Sequence, residues 1–451
     1  MSSELTNQLA SATVEDDVDA PTVSDPSKVV IETASKDDIY SSAKTFDELG
    51  LSEELLKGIY AEMGFSHPSK IQATTLPMIL KKPYTDLVAQ AHNGSGKTTC
   101  FVLSMLSHVD VNLKKTQAIC VCPTRELSIQ NYTVMMRMGK YTGITILCTA
   151  TEENIKTAIV QQIIVGTHGR IKNWLEKRVL FLEEVKVIVL DEADNILDAS
   201  SSGSSSQADD SVRLIQRIKA ANRRTPVQVL LFSATFNDTV KKFTERLCPK
   251  ANRVFVPKED LSLDAIAQYN VRCPTQESKL DVLRKDIFPN IEALGNIVIF
   301  VKRRNTAALL HNQLKGEGYI CTSIGGHLTH PERDAVINEF RKGTTKILIA
   351  TDVLSRGFDV EHITLVINYD LPTDAFGRPA METYLHRIGR SGRFGRKGIA
   401  FNFIVDSKDV EIMNSITQYY QKHIEEINAG ETERFEDMLE KYNQSVKPGS
   451  S

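Results

Sequence analysis

Short runs of β-branched and aliphatic residues alternate along the chain with longer stretches in which apolar positions recur every three or four residues. In the first half these runs fall at 87–91, 118–122, 163–166, 185–190 and 228–233. Runs of this kind, apolar without polar alternation, predict strands covered on both faces, which means a parallel sheet wrapped by helices. The same grammar restarts after a polar stretch and predicts strands at 296–301, 321–324, 346–350, 364–368 and 399–404. The expected architecture is therefore α/β, with two similar domains in tandem. Their bounds are 43–256 and 266–451, with a linker at 257–265 and a short tail at the C-terminal end.

Two segments break the pattern. Residues 1–42 have no sustained periodicity and hold nine Asp/Glu against two Lys, which predicts a disordered acidic tail. They contain no apolar core of the kind a signal peptide needs, and do not form a basic transit peptide, so secretion is not expected. Residues 200–210 are a Ser/Gly-rich run whose only apolar member is Ala208, read as a surface loop.

Composition adds exclusions. The net charge of −3 neither demands nor excludes a polyanionic partner. No window approaches the ~18 unbroken apolar residues of a membrane span, so membrane insertion is not expected. The seven Cys are scattered without C-x-x-C spacing and are read as reduced, buried small hydrophobes rather than metal ligands.

Four strings carry chemistry. Residues 91–98 (A-H-N-G-S-G-K-T) follow a predicted strand and open a predicted helix. Gly94, Ser95 and Gly96 let backbone N–H groups close around phosphate, Lys97 adds a charge, and Thr98 offers a hydroxyl to Mg²⁺. Asp191 and Glu192 stand at the carboxyl end of a buried strand, where α/β sheets bind ligands. Asp191 is placed to hold Mg²⁺, and Glu192 to orient or deprotonate a water. The second domain has no phosphate loop, yet carries T-D-V-L-S-R-G-F-D at 351–359 and H-R-I-G-R-S-G-R at 386–393. Its arginines at 387, 390 and 393 suit either arginine fingers on a γ-phosphate or a basic face on a polymer's phosphates; spacing does not separate the two.

Taken in order, these strings resemble the DEAD-box RNA helicases of superfamily two across residues 46–421. The resemblance implies two RecA-like domains, RNA-stimulated ATP hydrolysis, ATP and Mg²⁺ as ligands, and a monomer. By it, Gln72 bonds the adenine edge and Phe46 stacks on the base. Residues 91–98 are motif I, 123–127 motif Ia, 191–194 motif II, 233–235 motif III, 351–359 motif V and 386–393 motif VI. Asp359 then contacts ribose, Arg390 and Arg393 the γ-phosphate, and Ser233, Thr235 and His386 couple the domains. Single-stranded RNA, read without sequence preference, runs along Pro123, Thr124, Arg125, Thr167, Gly169, Arg170, Arg333 and Thr351. The chain departs from the family pattern at His168 and His330.

An eleven-residue spacer at 373–383, with P-S-K-I-Q at 68–72 and D-E-A-D-N at 191–195, looks like the nuclear-pore mRNA-export subgroup. That implies a nucleoporin and an export factor using inositol hexakisphosphate as partners, and cytoplasm and nucleus, with the nuclear pore complex, as locations. An ATP-gated RNA clamp with slow turnover uses the same residues; a more distant alternative is an ATPase of this architecture acting on DNA.

Overall fold

The computed structural model describes residues 30–33, 40–91, 94–152, 155–197, 207–223, 225–255, 266–290, 295–324, 328–352, 363–374, 376–392 and 397–446. The expected linker at 257–265 lies outside them, as do Asp359, Arg393 and most of the tail.

The first sheet has eight strands: β1 (Val30–Glu32), β2 (Leu87–Gln90), β3 (Ala118–Cys122), β4 (Ile146–Cys148), β5 (Ile163–Thr167), β6 (Val187–Leu190), β7 (Gln228–Ser233) and β8 (Asn252–Phe255). Their order is β1-β8-β2-β7-β6-β3-β5-β4, parallel throughout except that β1 runs antiparallel to β8. Helices α1 (Glu53–Lys57), α2 (Lys70–Leu80), α3 (Lys97–His108), α4 (Arg125–Met138), α5 (His168–Glu176), α6 (Ala193–Leu197), α7 (Gln207–Ala221) and α8 (Asp238–Leu247) pack around it. Alternate residues of each central strand feed opposite cores. Leu87, Ala89, Ala118, Cys120, Leu230 and Phe232 join one cluster, while Val88, Ile119, Val229 and Leu231 join the other. Each fully buried aliphatic contributes about 1.5–3 kcal/mol over exposure, which is why these strands carry no polar face.

The second sheet has seven strands: β9 (Ile266–Arg272), β10 (Asn296–Phe300), β11 (Cys321–Ile324), β12 (Ile347–Ala350), β13 (Ile363–Asn368), β14 (Gly398–Ile404) and β15 (Glu425–Asn428). All are parallel, in the order β11-β12-β10-β13-β14-β9-β15. Around it lie α9 (Ser278–Val282), α10 (Arg304–Gly316), α11 (His330–Arg341), α12 (Met381–Ile388), α13 (Ser407–Tyr420) and α14 (Thr432–Val446). Ile297, Ile299 and Val301 face one core, Val298 and Phe300 the other.

Two expectations need correction. The tail is not featureless to residue 42: Val30–Glu32 pairs with β8, and Tyr40 packs on the first core. The β-branched pair Val30-Ile31 is enough to add an edge strand once β8 offers unpaired N–H and C=O groups. The Ser/Gly run also ends earlier than residue 210, because Gln207–Asp210 form the first turn of α7, with Asp209 and Asp210 at its positive end. All seven cysteines are free, six buried and Cys321 half-buried. No helix among the described residues is long and apolar enough to cross a membrane.

Candidate nucleotide and RNA site

Strand order sets the site. β2, β7 and β6 are neighbours and deliver the phosphate loop, Ser233 and Asp191 side by side at their carboxyl ends; β3 and β5 continue the row with Pro123 and Thr167. Parallel strands place all of these at one edge, where open α/β sheets bind ligands.

The phosphate loop is anchored at both ends. Ala91 N–H donates to the Ser233 carbonyl at 3.1 Å, and Lys97, buried, bonds the Ala91 carbonyl. Gly96 has φ 104°, and a Cβ there would stand 2.3 Å from the Gln72 amide nitrogen, so only glycine fits. The Ser95 hydroxyl is buried with no hydrogen-bond partner among the described residues. His92 and Asn93 lie outside the described residues.

Helix α2 clasps this loop. Its capping box uses the Ser69 hydroxyl, which accepts from Gln72 N–H, and the Gln72 side-chain Oε1, which accepts from Ser69 N–H at 2.9 Å. Ser69 then donates to the Ser95 carbonyl at 2.7 Å, and Gln72 Nε2 to the Gly96 carbonyl at 3.2 Å. Phe46 does not meet its expectation: the ring is fully buried, edge-on to Tyr60 at 6.2 Å, and shows no free face for a base. It is an apolar residue at the margin of a forming core, and burial outcompetes exposure for stacking.

The acidic strand end is tightly wired. Asp191 accepts from Asn131 Nδ2 at 2.8 Å and from Glu192 N–H at 3.0 Å. Burial and the neighbouring Glu192 charge push its carboxyl up to about 6, against the pull of Asn131 and Lys97. Glu192 has φ 51°, a left-handed conformation that costs a non-glycine residue and recurs at functional sites, and it accepts from Asn195 Nδ2 at 2.8 Å. Asp194 behaves in the opposite sense: burial raises it, but bonds from His386 and Thr235 outweigh that and hold it well below the usual carboxylate range. Thr235 bonds it through both N–H (3.1 Å) and hydroxyl (2.8 Å), and the Ser233 hydroxyl accepts from Asp194 N–H at 3.3 Å.

His386, on α12 of the second sheet's unit, lies 3.3 Å from Asp194 and is fully buried. The two units therefore meet beside the acidic strand end. Arg390, one turn on and also buried, donates from Nε to the His386 carbonyl at 3.0 Å. Arg387 points the other way, bonding Asp352 (2.6 Å), Asn368 (3.0 Å) and the Asp370 carbonyl (2.7 Å) under Phe300, and serves as an internal strut.

The expected RNA residues divide. Pro123, Thr124, Thr167 and Arg170 are half-buried and Gly169 exposed along the ends of β3 and β5, while Thr351 is buried. Arg125 and Arg333 are instead engaged across the cleft. Arg125 forms a two-pronged pair with Asp334 at 2.6 and 2.9 Å, and Arg333 pairs with Glu126 at 3.0 Å. Each unit thus gives one arginine and one carboxylate from adjacent positions, and the free guanidinium ends expected for RNA are spent on the opposite unit. Beside the His386–Asp194 contact and these two pairs, Asn237 adds a fourth cross-cleft contact, donating to Glu382 at 3.3 Å. His168 is buried at the start of α5, 3.9 Å from Asp210 of α7, with burial lowering its pKa despite that charge.

Sequence reading missed Asn131, Asn195 and Asp334. Asn131 and Asp334 lie outside the recognised strings and carry no local signal, while Asn195 enters the sequence pattern only as the end of D-E-A-D-N.

The DEAD/DEAH box helicase family matches residues 69–243, and the helicase conserved C-terminal domain matches residues 278–395. The chain is 48% identical over 405 residues to DEAD-box ATP-dependent RNA helicase 38 of Oryza sativa subsp. japonica, covering 88% of this chain and 79% of that one. It is 41% identical over 399 residues to ATP-dependent RNA helicase dbp5 of Schizosaccharomyces pombe, covering 88% and 77%. Among solved structures, Saccharomyces cerevisiae Dbp5 bound to RNA and ADP BeF3 superposes with a TM-score of 0.81 at 39% identity, over 89% of this chain and all of that one. A Dbp5 variant from the same yeast bound to Nup159, a Gle1 variant, IP6 and ADP gives 0.61 at 37% identity, over 88% of this chain and all of that one. With the phosphate loop, the paired acids and the cross-cleft histidine at one sheet edge, the chain belongs to the DEAD-box ATP-dependent RNA helicases.

Proposed function

We propose that this chain hydrolyses ATP at a site completed only when its two α/β units close, and uses that closure to remodel RNA or RNA–protein complexes in mRNA export. The observation that carries the reading is the His386–Asp194 bond, which ties the second unit to the tetrapeptide holding Asp191 and Glu192. The better superposition on the RNA-bound relative than on the Nup159-bound one supports an arrangement of the units here like that of the RNA-bound relative.

In this reading the amides of Gly94, Ser95 and Gly96, with Lys97, hold the phosphates, and Gln72 reads the adenine edge while bracing the loop. Phe46 supports Gln72's neighbourhood from within the core rather than stacking on the base. The donors Thr98 and Asp191 are hard oxygens, and no cluster of three or more His, Cys, Asp or Glu occurs among the described residues. That set fits Mg²⁺ held mainly by phosphates and waters rather than by an all-protein cage. A buried carboxylate raised to about 6 also gains from a cation beside it. Bound there, Mg²⁺ offsets phosphate charge during transfer. Glu192 takes the proton of the attacking water, Arg390 and Arg393 stabilise charge on the γ-phosphate, and Asp359 meets the ribose. Ser233, Thr235 and His386 couple closure to hydrolysis.

RNA runs along Pro123, Thr124, Thr167, Gly169, Arg170 and Thr351, read through backbone phosphate and 2′-OH groups. Arg125 and Arg333 serve closure. The relatives bound to Nup159, Gle1 and IP6 support a nucleoporin and an inositol hexakisphosphate-dependent export factor as partners, and the nuclear pore as the place of action. RNA-stimulated ATPase assays of Glu192→Gln test the reading: turnover should fall by about 10²-fold or more, with nucleotide and RNA still bound. A near-normal rate refutes the role of Glu192.

A further inference from the structure

Asn131 sits in the interior of α4, outside every string that pointed to function, and is fully buried. Its Nδ2 reaches Asp191 Oδ2 at 2.8 Å, Cys122 Sγ at 3.4 Å and Cys120 Sγ at 4.0 Å. Thiol sulfurs are weak acceptors, so the carboxylate is what orients the amide. The other end, Oδ1, has no hydrogen-bond partner among the described residues. A buried amide with one end unmatched is a poor choice for stability alone, since an apolar side chain of the same shape would remove that penalty.

The helix that carries Asn131 begins at Arg125 and Glu126, the two residues that pair with Asp334 and Arg333 across the cleft. One rigid element thus touches the opposite unit at its first turn and the metal-holding carboxylate less than two turns later.

We propose that Asn131 is a positioning residue for the metal site: its amide fixes the Asp191 carboxylate toward Mg²⁺, and through α4 it ties that setting to the cross-cleft pairs. This rests on the reading of Asp191 as a Mg²⁺-holding group. Asn131 touches neither nucleotide nor metal and acts only through Asp191. Partners of this kind, one bond removed from a metal, set ligand orientation and affinity.

The test is Mg²⁺-dependent binding of a fluorescent ADP analogue to the full-length chain, with thermal unfolding measured alongside. Asn131→Leu keeps the shape and loses the donor. The Mg²⁺ concentration at half-saturation should rise on the order of 10-fold, while the unfolding temperature without ligands stays level or rises. Asn131→Thr, smaller and too short to reach Asp191, should give the same Mg²⁺ shift and supplies the answer if the leucine variant does not fold. A midpoint within twofold of the parent in the folded variants overturns the proposal. Asp191→Asn, run in parallel, separates the two readings: if it shifts the Mg²⁺ dependence while Asn131 variants do not, only the role of Asn131 fails. If Asp191→Asn leaves the dependence unmoved, the metal assignment of Asp191 fails and takes the proposal with it.

Discussion

Replacing Asp334 by Ala should weaken RNA binding in the presence of ADP BeF3 by about 5- to 30-fold and leave nucleotide-free RNA binding unchanged. Arg125 meets Asp334 with two hydrogen bonds, at 2.6 and 2.9 Å, and the two side chains are 20% and 36% exposed. A charged, two-pronged pair contributes about 1.5–3 kcal/mol when sheltered, whereas a fully exposed pair contributes about 0–1. Partial exposure places this one between, at about 1–2 kcal/mol, and each 1.4 kcal/mol is about tenfold in an equilibrium constant. Because the partners sit on different units, the whole loss falls on the closed state.

The assay is fluorescence anisotropy of a short labelled RNA with and without ADP BeF3. The charge exchange Arg125→Asp with Asp334→Arg should recover most of the loss, because it restores the pair with its direction reversed. Glu126→Ala should act similarly, and its effect should not add simply to that of Asp334→Ala, since the two pairs share α4 and α11. The opposite reading, that Arg125 serves RNA phosphate directly, inverts the result. Removing Asp334 would then free a guanidinium, tighten RNA binding and steepen its salt dependence by about one unit. Tighter binding by Asp334→Ala refutes the clamp.

Two further outcomes follow from burial and pairing. The Asp191 carboxyl titrates near 3.8 in an unfolded chain and at about 6 when folded. Between those values the folded state holds more protons, so stability without ligands falls as pH rises. Asp191→Asn should therefore raise the unfolding temperature of the ligand-free protein at pH 7.5, with the advantage gone below about pH 4; an equal difference at both pH values refutes this. Deleting residues 1–28 should leave RNA-stimulated ATPase within a few-fold. Deleting residues 1–33 strips β1 from β8 and should cost about 2–4 °C in unfolding temperature; calorimetry of the two truncations separates them, and equal unfolding temperatures would mean that β1 adds nothing.

How legible the chain was depends on what each residue answers to. Nine of the ten strands that the pattern predicts, among them β3 and β10, lie inside a sheet and are buried on both faces, and such runs have one stable use; the tenth, β11 with Thr322 and Ser323, is an edge strand with alternating burial. The strands not foreseen answer to neighbours instead. β1 has three residues, β8 begins Asn252-Arg253, and β9 alternates buried and exposed positions through Gln268 and Asn270. Their pairing is set by an adjacent strand's open edge rather than by their own pattern. The site divides the same way. Gly94, Gly96, Lys97, Asp191 and Glu192 were legible because backbone conformation and charge restrict those positions to few residue types. Asn131 and Asp334 were not, since a buried amide and a helix-surface carboxylate gain meaning only from what the fold brings opposite them.

The acids of residues 191–194 show how one short segment takes on different tasks. Asp191 is raised by burial and by its neighbour, against the pull of Asn131 and Lys97. Asp194, three residues on and just as buried, is held ionised by a histidine from the other unit and by Thr235. Separation of environments is what assigns roles when residue types are nearly the same. Opening the cleft would remove His386 from Asp194 and leave it its partners within the first unit, among them Thr235, Ser233 and the Asn195 N–H at 3.1 Å, so in the proposed mechanism the turn holding Asp191 and Glu192 feels the position of the second unit. If nucleotide binds at the 191–194 turn as proposed, thermodynamic reciprocity requires that its effect there also bias closure, and with it the proposed RNA path along β3 and β5. The left-handed Glu192 lies between the two aspartates, so the residue proposed to activate water is also the one whose backbone any relative movement of Asp191 and Asp194 must turn.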